Sequence, residues 1–336
     1  MKFSIDTLIL IFIFSLAAFA QTPTDGREKG VELYKQGNYK AAIKTLKDFT
    51  KQNSADYLAF HYLALAFSRE NKLKDAEKTY EKAIKAKPDF AESHTGLAYI
   101  YLLRDKLPEA IKAAEKAVAL DDGNPETFYI LGNANLRSGK AEAAFENAER
   151  GIKLNPNLAG LHLLKAHAIM NISVANRNAS RRSHQYGVAS DSIGKFIILS
   201  KNLPDSAFWR GQQEALQFYA GYYAEREKNK SAAVVTNPDA VGTGENVLKT
   251  PVKILAKERA AYTDAARRAG VSGVVRLLVT FSEDGTIKYI IALNSLGYGL
   301  EEASIKAAKN IKFEPEKIDG KPVSAARTVE YRFTLY

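Results

Sequence analysis

The sequence predicts an α+β multidomain chain, in which an α-solenoid of helical repeats precedes a small α+β module. Three observations predict it. Small residues recur every 34 positions through the first half of the 336-residue chain. After Pro251, β-branched and aromatic residues alternate along two runs, the pattern of half-buried strands. Between these regions, residues 229–250 are dominated by Pro, Gly, Asn and Thr and read as a flexible linker that leaves the two parts uncoupled. The domain plan is a signal peptide at 1–20, a repeat array with a capping helix at 23–228, the linker at 229–250 and the module at 251–336.

The N-terminus reads as an export signal. Lys2 precedes an uncharged run from Thr7 to Ala20, which ends Ala18-Phe19-Ala20 before Gln21. A small-x-small ending after a short apolar run is a secretory cleavage site. As a helix the run spans roughly 21 Å, short of the ~30 Å hydrocarbon core of a bilayer. The alternative is an uncleaved anchor extended to Thr24, since Asp25 is the next charge. The chain has no cysteine, so an exported form carries neither disulfides nor a lipidated cysteine.

The repeat is legible in four positions. Gly30, Ala64, Ala98, Gly132 and Ala166 share one phase, and Ala42, Ala76, Ala110 and Ala144 share a second. Phe49, Ala83, Ala117 and Gly151 share a third, and Gly37, Asn71, Asp105 and Gly139 mark the turns. Pro88 and Pro156 end the second and fourth units, with Asp122 in the same phase. Each unit reads as two amphipathic helices, small where they approach closely and large at Tyr39, Leu73 and Leu107. A unit of this kind cannot bury its apolar face alone and must stack on neighbours. This pattern resembles the tetratricopeptide repeat over residues 23 to about 156.

The fifth unit departs from the period. Its first helix runs from Leu158 to about Met170. Residues 176–183 then intrude, so that about eleven residues are inserted if Ala189, Ile193 and Phe196 resume the second helix. A last helix, Ala207 to about Lys228, carries Trp209, Leu216, Tyr219 and Tyr223 among other apolar residues and suits a cap, with Asp205 as its N-cap.

The end module reads as a short strand at 252–255, a short helix capped by Thr263 and running to Ala269, and a strand from Gly273 to Ser282. A turn at Asp284-Gly285 leads to a second strand from Thr286 to Leu293. A helix from Leu300 to Ile311 and a closing alternation in 321–336 complete it. With "AYTDAARRAGVSGVV", "FSEDGTI" and "IKFEPEKIDGKPV", this region resembles the TonB C-terminal domain. It departs in Thr263, where the family usually has Pro, and in Ile311, where it often has Trp. The resemblance implies capture of a short extended segment of an outer-membrane receptor.

Physically, a small sheet leaves an edge whose free N–H and C=O groups can take another strand. The final strand is the natural edge, at Arg327, Thr328, Val329, Glu330, Tyr331, Arg332 and Phe333; the alternative is that this strand only closes the core. A second candidate surface is the concave side of the repeats. There the first helices are expected to present Arg69, Tyr99, Tyr129, Asn133, Arg137 and His167, residue types that anchor interfaces; the alternative is a solvated or partly packed surface.

The net charge of +10 is diffuse, with 14 Lys plus Arg against 10 Asp plus Glu in residues 251–336. Nucleic acid is therefore not an expected partner, and a membrane enters only indirectly unless the N-terminus is retained. The five histidines form no HExxH pair, and no nucleophile or phosphate-loop pattern occurs. No catalytic residue, metal or cofactor is expected. The chain thus reads as a periplasmic interaction protein; the alternative is an inner-membrane-anchored energy transducer of the TonB type.

Overall fold

A computed structural model describes residues 25–175, 178–200, 206–236 and 248–334. The export signal, the Asp205 cap and residues 237–247 of the expected linker lie outside the described residues. Packing divides the chain into two compact units, Met1–Pro88 and Asp89–Tyr336.

The first unit holds α1 (Asp25–Lys35), α2 (Tyr39–Gln52), α3 (Tyr57–Arg69) and α4 (Leu73–Ala86). The small phased residues sit where the reading of the repeat requires. Ala42, Ala64, Ala76 and Ala83 are fully buried. A Cβ on Gly30 would stand 2.5 Å from Leu46, so a larger residue cannot enter without moving that buried side chain. Asn38 and Asp56 cap α2 and α3 by accepting from Ala41 N and Ala59 N.

The second unit opens with two further helix pairs: α5 (Ala91–Leu103) with α6 (Leu107–Leu120), and α7 (Pro125–Arg137) with α8 (Ala141–Leu154). All four turn positions of the repeat are left-handed, with φ of 78° at Gly37, 55° at Asn71, 57° at Asp105 and 81° at Gly139. In each, the next residue's N–H reaches back five residues: Asn38 to Leu33 O, Lys72 to Phe67 O, Lys106 to Tyr101 O and Lys140 to Asn135 O. This bond closes the helix end and satisfies a carbonyl that would otherwise be orphaned. Gly, Asn and Asp are the residues that enter this conformation most readily.

The fifth pair is α9 (Ala159–Ala175) and α10 (Ala179–Leu199), followed by α11 (Ser206–Thr236). The eleven-residue insertion is mostly helix. The α9 helix has 17 residues where α5 and α7 have 13, and α10 has 21 where α6 and α8 have 14. Asn178 caps α10 by accepting from Arg181 N, so the polar stretch read as an intrusion starts a helix.

The end module contains β1 (Lys249–Thr250), β2 (Lys253–Ala256), α12 (Asp264–Arg268), β3 (Gly273–Phe281) and β4 (Ile287–Ala292). It continues with α13 (Leu300–Ala308), β5 (Lys312–Glu314), β6 (Glu316–Ile318), β7 (Lys321–Val323) and β8 (Ala325–Phe333). The main sheet has the order β4-β3-β8, all antiparallel. One face packs Val275, Leu277, Val279, Val329 and Tyr331 onto Leu300, Ile305 and Ala308 of α13 and Ala266 of α12. The module also holds a three-stranded sheet, β1-β6-β7, and a two-stranded one, β2-β5. The β6–β7 hairpin turns on Asp319 and Gly320, both at positive φ (50° and 79°), as a tight two-residue hairpin demands.

Two expectations are corrected. Residues 229–236 are not linker but the last turns of α11, and β1 occupies 249–250, pairing with β6. Nor is the module uncoupled from the repeats. The second face of its sheet, through Leu278, Ile291 and Leu293, shares a core with Met170 of α9 and Trp209, Leu216 and Tyr219 of α11. The reason is hydrophobic: α11 and the sheet each carry an apolar face that neither buries alone, and each large side chain so covered contributes about 1.5–3 kcal/mol.

Candidate protein-interaction site

A three-stranded sheet has two edges, and this one treats them differently. Leu293 N donates to Arg276 O at 2.8 Å. The even-numbered residues of β3 therefore address β4, and its odd-numbered residues address β8. The register pairs Leu277 with Val329 and Val275 with Tyr331. The main-chain groups of Val329 and Tyr331 are thereby turned inward, and those of Thr328, Glu330 and Arg332 outward.

The outer edge of β4 is occupied by a side chain of the helical array. Gln212 Nε2 donates to Ile290 O at 2.9 Å, and Ala292 N donates to Gln212 Oε1 at 2.8 Å. Gln212 is buried, and its amide takes two of the groups that another strand would need. Neighbouring bonds fix the docking: Asn171 Nδ2 donates to Leu293 O, Tyr219 OH pairs with Thr280 Oγ1, and Arg276 Nη2 donates to Leu136 O at 3.3 Å.

The outer edge of β8 has no strand beside it among the described residues. Thr328, Glu330 and Arg332 are exposed along it. Lys257 Nζ reaches Glu330 O at 2.9 Å and lies over the Tyr331 ring, and Arg327 Nη1 folds back on Ala326 O. Such a lysine is a common guard of an exposed edge. Of the seven residues expected here, Val329, Tyr331 and Phe333 are buried in the core and offer a partner no side chain. Burial raises the Tyr331 hydroxyl to about 12, with Glu258 adding to the shift, so it stays protonated. Arg327 is ion-paired with Glu316.

The candidate groove residues separate into three groups. Arg69 is exposed at the end of α3 in the first unit. In the second unit, Tyr99 is 40% exposed. Tyr129 has its hydroxyl pKa raised by burial and then by Tyr99 nearby, and Asn133 Nδ2 donates to Tyr129 O at 2.8 Å. These three lie close together on α5 and α7, with Tyr129 partly buried. Arg137 and His167 are corrected. The Arg137 guanidinium donates to Leu102 O at 2.8 Å, Asp105 at 2.6 Å and Ser272 O at 3.2 Å, clamping a repeat turn to the module. Burial lowers its pKa while Asp105 opposes the shift. His167 is a core residue, 3% exposed beside Trp209, and burial pulls it down to about 3.

Sequence reasoning missed Gln212, although a signal exists: it interrupts the buried stripe Trp209, Leu216, Tyr219, Tyr223 on α11. It also missed β5, β6 and β7, of which Asp319-Gly320 was the readable sign. No group of acidic, histidine or cysteine side chains that could hold a metal occurs among the described residues. No described helix is long and apolar enough to cross a membrane.

Stacked helix pairs and an open sheet edge define a class of protein built for interaction. Comparison gives the particular modules. Residues 27–76 and 61–125 match one tetratricopeptide repeat model and residues 125–158 a second. Residues 258–335 match the model described as the Gram-negative bacterial TonB protein C-terminal. The chain therefore carries tetratricopeptide repeats and a TonB C-terminal domain. No curated protein matches it. Among solved structures, MamA is 19% identical with a TM-score of 0.46, covering 55% of this chain and all of its own. PilF of Pseudomonas aeruginosa is 18% identical with a TM-score of 0.48, covering 66% of this chain and 93% of its own.

Proposed function

We propose that the chain is an exported, periplasmic, non-enzymatic scaffold. In this reading the repeats hold one protein partner, through Tyr99, Tyr129 and Asn133, and the module captures an extended segment of an outer-membrane receptor or another envelope protein. The observation that carries it is the asymmetry of the sheet: Gln212 closes the β4 edge, while no strand among the described residues pairs with the outward groups of Thr328, Glu330 and Arg332 on β8. An added strand gains main-chain hydrogen bonds along β8, and its alternate side chains supply specificity. To pair fully it displaces the Lys257 ammonium from Glu330 O.

The test is a titration of the full chain with peptides from candidate outer-membrane receptors, read by amide hydrogen exchange. Protection concentrated in residues 325–333 is the expected result. Protection confined to α13 would make the module a docking surface of another kind. Intact mass of the native protein tests export: a chain starting at Gln21 is expected, and full-length protein held in the inner membrane would favour the anchored transducer.

A further inference from the structure

A cavity of about 830 Å³ opens where the free edge of β8 begins. Ser324, Ala325, Ala326 and Arg327 line one side of it, so a strand laid along β8 and continued past Ala325 runs into it. The lining is also aromatic. Phe218, Tyr222 and Tyr223 of α11 stand there with Tyr289 of β4. The Phe218 and Tyr289 rings stack with centroids 3.9 Å apart, and Tyr222 lies 6.2 Å from Phe218, nearly parallel. Phe218 is nonetheless 40% exposed, an apolar ring held open to solvent.

The rim is basic. Arg182, Lys249, Lys288 and Arg327 line the cavity with Glu283 and Glu316. Glu316 is shared by Lys249 and Arg327, and Lys288 pairs with Asp284 at 3.0 Å. Cations exceed carboxylates even with Asp284 included.

We propose that this cavity is the anchor pocket for the segment captured on β8, taking an aromatic side chain flanked by carboxylates just beyond the added strand. The inference rests on the strand-addition reading and names the partner's chemistry. A ring entering among Phe218, Tyr222 and Tyr289 finds faces and edges at the centroid spacing of roughly 4.5–7 Å that aromatic pairs favour. A buried aromatic anchor is where interfaces concentrate binding energy. The basic rim complements acidic neighbours of that ring and disfavours basic ones. The small side chains of Ser324, Ala325 and Ala326 keep the passage from edge to pocket clear.

The experiment uses the full chain and fluorescein-labelled synthetic peptides read by anisotropy, with hydrogen exchange to locate them. One peptide is an alternating threonine–valine hexamer with blocked ends. Two others add a tryptophan and two glutamates at one end or the other, and a control pair carries lysines in place of the glutamates. One acidic peptide should bind about tenfold tighter than the bare hexamer. It should protect residues 216–223 as well as 325–333. That gain should disappear in Phe218→Ala and in Lys288→Glu, the latter an exposed position whose change spares the core, while both variants still bind the hexamer as before. The lysine peptides should show no gain. Equal binding by hexamer and acidic peptides, with protection at 325–333, would overturn the pocket and leave strand addition standing. A gain as large with lysines would overturn the acidic specificity. Absence of protection at 325–333 with every peptide would overturn strand addition and the pocket together.

Discussion

His61 and His167 carry the clearest consequence at the scale of single residues. Burial holds His61 at about 4 and His167 at about 3, whereas an unfolded chain titrates them at about 6.5. Below that pH the unfolded state takes protons that the native state refuses. Each histidine's contribution is therefore complete above about pH 7 and is lost as pH falls toward the native value, with a slope of about 1.4 kcal/mol per pH unit. Urea unfolding between pH 4.5 and 7.5 should show stability falling with acidity, and His167→Phe should remove its share of the slope. Ala76 tests the repeat phase. It is fully buried in α4, and Ala76→Leu should destabilise the first unit by ~1–3 kcal/mol, since the three added heavy atoms have no space to enter. An unchanged melting temperature would contradict that packing.

At the scale of elements, β8 and β4 make opposite predictions. Thr328→Pro or Glu330→Pro removes an outward N–H and leaves the ladder to β3 whole. Such variants should stay folded, by circular dichroism, and lose peptide affinity. Val329→Pro removes an N–H that β3 uses and should unfold the module, because proline cannot donate to the ladder. If all three behave alike, the alternation along β8 is wrong. On the opposite edge, Gln212→Ala leaves Ile290 O and Ala292 N buried without their partner. The expected loss is about 2 kcal/mol in chemical denaturation, with peptide capture at β8 intact.

For the molecule as a whole, the test is whether the array stands without its module. A chain ending at Asn229 exposes the side of α11 that Leu278, Ile291 and Leu293 cover. Helicity should persist, because repeat stability is approximately a sum over neighbours. The melting temperature should nevertheless fall, with a loss on the order of 3 kcal/mol, and hydrophobic dye should bind. A melting curve identical to that of the full chain would restore the uncoupled linker.

What the sequence by itself determined is local and periodic. Helix pairs, left-handed turns at Gly37, Asn71, Asp105 and Gly139, and alternating strands after Pro251 follow from steric rules acting over a few residues, and a fixed period makes them visible. The same rules placed Thr328, Glu330 and Arg332 on one side of the last strand. The tertiary structure decided what each surface meets. Arg137 and His167 fall on helices as expected, yet one clamps the module and the other is sealed beneath Trp209, because apolar faces remote in sequence close over them. Whether β8 or β4 is the open edge depends on Gln212, 78 residues from Ile290. A hydrogen bond between such distant residues leaves no period to read; it exists only once burial has brought α11 and the sheet together.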